Sequence, residues 1–205
     1  LQNDYTIHQC GIILLAAGNS SRLGRPKQLL TYNSQSLLKH TLSVIKGANL
    51  DTVVVVLGAY SSALIHELNH KKTIIAHNEE WAEGIASSIR TGIGALQKNY
   101  PGCDGSFVMV VDQPYITSDL LLDLIKAQRE SRKPIAACKY ENVTGTPVLF
   151  HQSIFPELLN LKGDKGAGKI LQQRVDEVVT INFPMGKFDI DTEDDYKTLQ
   201  QNSAD

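Results

Sequence analysis

Gly11-Ile12-Ile13-Leu14-Leu15-Ala16-Ala17-Gly18-Asn19-Ser20-Ser21-Arg22-Leu23-Gly24-Arg25-Pro26-Lys27 is the stretch on which the fold turns. Residues 11–17 form an unbroken apolar run, which suits a strand buried on both faces. The run feeds directly into a Gly/Ser loop. Small residues at 16–20 let the backbone approach a ligand closely, and Gly18 and Gly24 permit positive φ. Successive backbone N–H groups in such a loop can form an anion nest. Arg22, Arg25 and Lys27 add three cations within six positions. Together these features describe a cradle for polyphosphate. It is neither common nucleotide loop: Asn19 and Ser20 break the dinucleotide-binding glycine spacing, and Arg25-Pro26 stands where a Walker loop needs Lys-Ser/Thr.

Outward from this stretch, short apolar runs alternate with amphipathic ones. Strands are expected at 52–57, 73–77, 106–111, 134–138, 146–150 and 178–181. Helices are expected at 36–46, 61–68, 84–98, 117–132, 152–161, 167–174 and 192–201. Strand–helix alternation of this kind predicts an α/β fold with right-handed crossovers. The expected architecture is a three-layer α/β/α, Rossmann-like sandwich around a mixed, mostly parallel sheet. Residues 1–10 read as an N-terminal extension and 11–205 as a single domain. In such sheets the ligand sits beyond the carboxyl ends of the strands.

Composition narrows the function. Twenty Lys plus Arg against 22 Asp plus Glu leave a formal charge of −2. That argues against a broad nucleic-acid surface, which needs a basic excess. Cys10, Cys103 and Cys138 are too few and too scattered for a disulfide framework or a cysteine-rich zinc site. They fit a reducing, cytoplasmic setting. The longest apolar run, residues 12–17, is far short of the ~18 residues that span a bilayer. No membrane partner is expected.

The strand ending at 111 delivers Asp112-Gln113-Pro114. A carboxylate at that tip points into the ligand crevice, and Mg²⁺ on nucleotide phosphates takes one or two protein carboxylates. Asp112 is a candidate for the first; a simple turn-forming role is the alternative. Asp189-Ile190-Asp191-Thr192 offers the second. Extended backbone would place Asp189 and Asp191 on one side, while Asp191 could instead cap the last helix.

The run Leu15-Ala16-Ala17-Gly18-Asn19-Ser20-Ser21-Arg22-Leu23-Gly24 with Lys27 resembles the signature of the molybdenum-cofactor nucleotidyltransferases. The wider group includes methylerythritol-phosphate cytidylyltransferases and sugar-phosphate nucleotidyltransferases. Leu-Ala-Ala-Gly resembles the cytidylyl branch more than the guanylyl branch; Leu23, often Met in the family, is a departure. The resemblance extends through Asn78-x-x-Trp81-x-x-Gly84, Asp112-Gln113-Pro114, Gly145-Thr146-Pro147, Gly163-Asp164-Lys165-Gly166-Ala167-Gly168-Lys169 and Asp189-Ile190-Asp191-Thr192, nearly the whole chain.

The resemblance implies a Mg²⁺-dependent transfer of CMP from CTP to the terminal phosphate of molybdopterin. It implies nucleotide contacts from Ala16, Ala17, Gly18, Asn19, Ser20, Arg22, Lys27, Gly84, Ser88 and Asp112. Of these, Arg22, Lys27 and Asp112 would be catalytic. Acceptor contacts would come from Gly145, Thr146, Pro147, Asp164, Lys165 and Lys169, and metal ligation from Asp112 and Asp191. A molybdoenzyme or its chaperone is an implied partner. GTP as donor, another phosphate acceptor, or a non-catalytic cofactor chaperone are the alternatives.

Two motifs mislead. His66-Glu67-Leu68-Asn69-His70 has zincin spacing. On a helix, however, both histidines would face away from the apolar stripe of Leu64, Ile65 and Leu68. Residues 163–169 have Walker spacing, but Ile170 replaces the required Ser/Thr and no strand precedes them.

Overall fold

The computed structural model describes residues 4–68 and 73–202. Its main sheet has seven strands in the order β5-β4-β1-β6-β8-β7-β9. These are β1 (Cys10–Ala16), β4 (Val53–Leu57), β5 (Thr73–His77), β6 (Gly105–Val110), β7 (Ile135–Tyr140), β8 (Val143–His151) and β9 (Val178–Asn182). A small hairpin, β2 (Thr31–Tyr32) with β3 (Gln35–Ser36), stands apart. The pairs β1–β4, β1–β6, β4–β5 and β7–β9 are parallel, and β8 runs antiparallel to both its neighbours. The sheet is therefore mixed and mostly parallel, as expected. Its reversed strand follows from a two-residue connection: Tyr140 pairs with Val143, so 141–142 must turn the chain straight back.

Period-two alternation splits each central strand between two cores. Ile12, Leu14, Val53, Val55, Phe107 and Met109 face α1 (Leu37–Gly47), α4 (Ser118–Ser131) and α7 (Glu193–Gln201). Ile13, Leu15, Val54, Val56 and Val108 face the other side. There they meet α3 (Ile85–Asn99), α5 (Phe155–Leu159) and α6 (Gly168–Gln173). The three layers follow directly. Close packing needs a gap at one point: Gly92 of α3 lies over Ile13, where an added Cβ would come within 2.3 Å of the Ile13 methyl.

Some elements differ from their sequence expectation. The helix expected at 61–68 is one α-turn, α2 (Ser61–Leu64), followed by a 3₁₀ turn, Ile65–Glu67. The zincin motif therefore lacks a continuous helix. Glu67 instead accepts from Ser36 Oγ (2.5 Å) and Lys39 Nζ (3.2 Å), and His70 lies outside the described residues. Residues 5–9 of the expected extension also pack into the domain. Ile7 is 1% exposed, Gln128 holds the Tyr5 carbonyl and the Ile7 amide, and Asp104 accepts from the His8 and Gln9 amides. Burying Ile7 and satisfying these backbone groups ties the segment down. All three cysteines are free thiols. No helix among the described residues is long and apolar enough to cross a membrane.

Candidate functional site

β1 lies at the point where strand order reverses, with β4 on one side and β6 on the other. The crevice beyond such a switch point is where α/β sheets bind ligands. Here it is a cavity of about 350 Å³, lined by Ala16, Ala17, Gly18 and Asn19 of the glycine loop, by Lys27 and Asp112, and by Trp81, Gly84, Ser88 and Asp164.

The loop after β1 is fixed from several directions. Ser20 (φ 48°) and Gly24 (φ 74°) take left-handed backbone, and the Leu23 and Gly24 amides both donate to the Ser20 carbonyl at 3.0 Å. Ser20 Oγ accepts from the Lys27 amide at 3.1 Å. Gln28, 2% exposed, donates Nε2 to the Ala16 and Gly18 carbonyls (3.0 and 3.2 Å). Tyr60 Oη donates to the Asn19 carbonyl, and the Ala59 amide to that of Ala17. A loop held this way needs little further ordering to receive a ligand.

Lys27 is the hub of a charged cluster. Its Nζ lies 2.6 Å from Asp112 Oδ2 and 2.8 Å from Asp191 Oδ1, and Arg22 Nη2 lies 2.6 Å from Asp191 Oδ2. Burial opposes the Lys27 charge, but Asp112 and Asp191 outweigh it and hold the ammonium above its ordinary pKa. Burial also opposes the Asp191 charge; Lys27 and Arg22 overcome it and lower that carboxyl. Asp189 is exposed as a residue, yet packing around its carboxyl, with the Asp112 charge nearby, pushes it up to about 6. The Ile190 amide donates to the Asp112 carbonyl at 3.0 Å, so residues 189–191 are bound to the end of β6.

Asp191 does not cap α7. Thr192 does, in a reciprocal capping box with Asp195. That leaves the Asp191 side chain for Lys27 and Arg22. Two carboxylates converging on one ammonium form a hard-oxygen pair of the size Mg²⁺ or Mn²⁺ takes alongside nucleotide phosphates. No group of three or more His, Cys, Asp or Glu arranged for a metal occurs among the described residues. A metal here would complete its shell with substrate oxygens and water.

Asn78 is 4% exposed and donates Nδ2 to Ser87 Oγ (2.8 Å) and Ser88 Oγ (3.0 Å), fixing the serine that lines the cavity. Gly84 has φ 120° and ψ −177°, a conformation essentially reserved for glycine. A Cβ there would also fall 2.2 Å from Asp164 Oδ1 and 2.7 Å from the Gly163 carbonyl. Gly84→Ala is expected to cost about 3 kcal/mol through strain and overlap. Thermal unfolding should register the loss, together with weaker nucleotide binding. An unchanged melting temperature would contradict the assigned backbone.

The candidate acceptor residues are divided. Asp164 lines the same cavity as the glycine loop. Lys165 and Lys169 line a separate depression with Glu157 and Gln173. Gly145, Thr146 and Pro147 belong to β8, where Gly145 packs on the Tyr140 hydroxyl. Sequence reading did not flag Gln28, Glu83 or Arg90. Gln28 adjoins Lys27, but only the fold shows its amide reaching back to the loop. Among the described residues, Gln28 Oε1 and Gln113 Oε1 are the buried side-chain polar atoms left without a partner, each next in sequence to a charged residue of the site.

Residues 12–178 match the MobA-like NTP transferase domain. The chain belongs to that family. It is a nucleotidyltransferase of the MobA-like type, with the nucleotide-diphospho-sugar transferase fold. The purine catabolism protein PucB of Bacillus subtilis is 27% identical over 199 residues, covering 92% of this chain and 95% of PucB. The molybdenum cofactor cytidylyltransferase of Escherichia coli is 22% identical over 192 residues, covering 92% and 94%. The crystal structure of Rv0371c from Mycobacterium tuberculosis superposes with a TM-score of 0.80 at 32% identity, covering 94% of this chain and 98% of that one. A further Rv0371c structure is a complex with manganese (TM-score 0.77, 30% identity, coverage 95% and 99%). For a MobA-like transferase, an NTP and an acceptor are the expected substrates.

Proposed function

We propose that this MobA-like transferase moves CMP from CTP to the terminal phosphate of molybdopterin or its metal-loaded form. The observation that carries the reading is the meeting of Lys27, Asp112 and Asp191, the first two of which line the glycine-loop cavity. The choice of CTP and molybdopterin rests on the Leu15-Ala16-Ala17-Gly18 sequence and on likeness to the E. coli cytidylyltransferase along most of the chain.

In this reading, amides of the glycine loop with Lys27 and Arg22 bind the triphosphate. A terminal phosphate oxygen of the acceptor attacks the α-phosphorus, the bond to the bridging α–β oxygen breaks, and pyrophosphate leaves. The acceptor has a second pKa of ≈ 6 and is already ionised at neutral pH, so no general base is needed. Alignment and neutralisation of charge then supply the catalysis. Asp112 and Asp191 would hold Mg²⁺. When bound, it adds positive charge on the phosphate oxygens and helps set the line of attack. Lys27 and Arg22 then move from carboxylate to phosphate partners and stabilise the charge growing on pyrophosphate.

The deciding experiment offers each NTP with molybdopterin, a sugar phosphate or methylerythritol phosphate, and follows pyrophosphate release and product mass. The expected product is the cytosine dinucleotide of molybdopterin. A guanine dinucleotide, or transfer to another acceptor, would replace the specificity. Tight binding in Mg²⁺ without turnover would replace catalysis with a carrier role.

A further inference from the structure

Asp164 is the second carboxylate on the wall of the glycine-loop cavity, Asp112 being the first. It is exposed, with no hydrogen-bond or ion-pair partner of its own among the described residues. Its position is nevertheless enforced. The Gly163 amide donates to Glu83 Oε1 at 3.0 Å, and the Ala86 amide donates to the Gly163 carbonyl at 3.1 Å. Arg90 ties both strands of this crossing. Its Nη1 donates to Glu83 Oε1 (2.9 Å) and to the Leu161 carbonyl (2.7 Å), and its Nη2 to Glu83 Oε2 (2.5 Å). The Arg90 hydrogen bonds, with the Gly163 amide adding to them, hold the Glu83 carboxyl down at about 2, so the clamp stays charged at any physiological pH. The missing side chain of Gly84 makes the space that Asp164 Oδ1 fills.

Asp112 and Asp191, the carboxylates that would meet the triphosphate, are each paired with Lys27, and Asp191 with Arg22 as well. Asp164 has no such cation and stands beside Gly84 instead, so it suits the uncharged nucleoside better than the triphosphate. An ionised carboxylate only accepts hydrogen bonds. We infer that Asp164, set by the Glu83–Arg90 clamp, selects the nucleotide by accepting from an N–H or O–H donor of its nucleoside. Glu83 and Arg90 are positioning residues. The inference rests on the transferase reading, and it moves Asp164 from the acceptor to the donor substrate.

The base edge and the ribose can both present such donors, and they can be told apart. Affinities of the intact protein are measured by calorimetry in Mg²⁺ without acceptor. CTP is compared with UTP, GTP with inosine triphosphate, and each ribonucleotide with its 2′-deoxy form. One of these pairs is expected to differ by about tenfold or more, since hydrogen bonds to charged groups are strong. Asp164→Ala should bring that ratio to within about twofold while binding still depends on Lys27. Arg90→Met should act in the same direction, and the double variant should add nothing to Asp164→Ala. Asp164 is exposed, so its variant tests the idea without threatening the fold. A wild-type protein indifferent to every donor, an unchanged ratio in Asp164→Ala, or an effect confined to acceptor binding overturns the inference. If no NTP binds at all, the transferase reading fails with it. If NTP binds through Lys27 but ignores donors, only the inference fails.

Discussion

Lys27→Ala is expected to lower kcat/KM for transfer about a thousandfold while the protein stays folded. The lysine side chain is 15% exposed and touches both carboxylates of the site. Preorganised cations at a phosphoryl centre act in a partly water-excluded space, where a single donor or cation is worth 10²-fold or more. Alanine removes the charge and leaves Asp112 and Asp191 facing each other, with only Arg22 still on Asp191. The two acids are partly solvated, at 21% and 29% exposed, so the structural cost should stay near ~1–2 kcal/mol. Lys27→Arg should recover part of the rate, because it restores the charge on a longer, planar group. Steady-state kinetics alongside thermal unfolding makes the test. Near-native transfer by a folded Lys27→Ala protein would remove Lys27 from the mechanism.

Asp112→Asn is expected to produce a loss of similar size by a different route. Asparagine keeps the shape and an acceptor for Lys27 but gives up the charge that would bind a divalent cation. Turnover should fall about a thousandfold, and Mn²⁺ binding, followed by electron paramagnetic resonance in the presence of a non-reacting NTP analogue, should weaken at least tenfold. The two variants are thus separable. Lys27→Ala should mainly impair handling of phosphate, and Asp112→Asn handling of metal. An Asp112→Asn protein that binds Mn²⁺ as tightly as wild type would transfer the ligand role to Asp189 or Asp191.

Legibility in the sequence followed the range of the forces involved. The edge strand at Thr73–His77 was readable to the residue, and β1, β4 and β6 were nearly so because buried parallel strands write themselves as continuous apolar runs. The glycine loop was legible because its cations and small residues are neighbours in the chain. The β7–β8 hairpin was obscured because its ends, Lys139-Tyr140 and Val143-Thr144, carry polar residues that hide the strand pattern. Asp191 was open to a capping role, and only the Thr192–Asp195 capping box takes that role from it. Arg90 gave no signal at all. It sits on a helix among ordinary polar residues, and its partners Glu83 and Leu161 meet it only through tertiary packing.

The Ile190–Asp112 hydrogen bond closes a long excursion. The chain leaves the site at Asp112, builds α4, β7, β8, β9 and the helices between, and returns at the same point to supply Asp191. The glycine loop, Lys27 and Asp112 all precede that departure. The excursion rejoins the cavity early only at 163–164. It is no loose insertion: β8 pairs with β6 inside the main sheet, and its residues enter both cores. Asp191 is thus delivered to Lys27 by a segment whose own packing builds the sheet, so strain anywhere along it can reach the site.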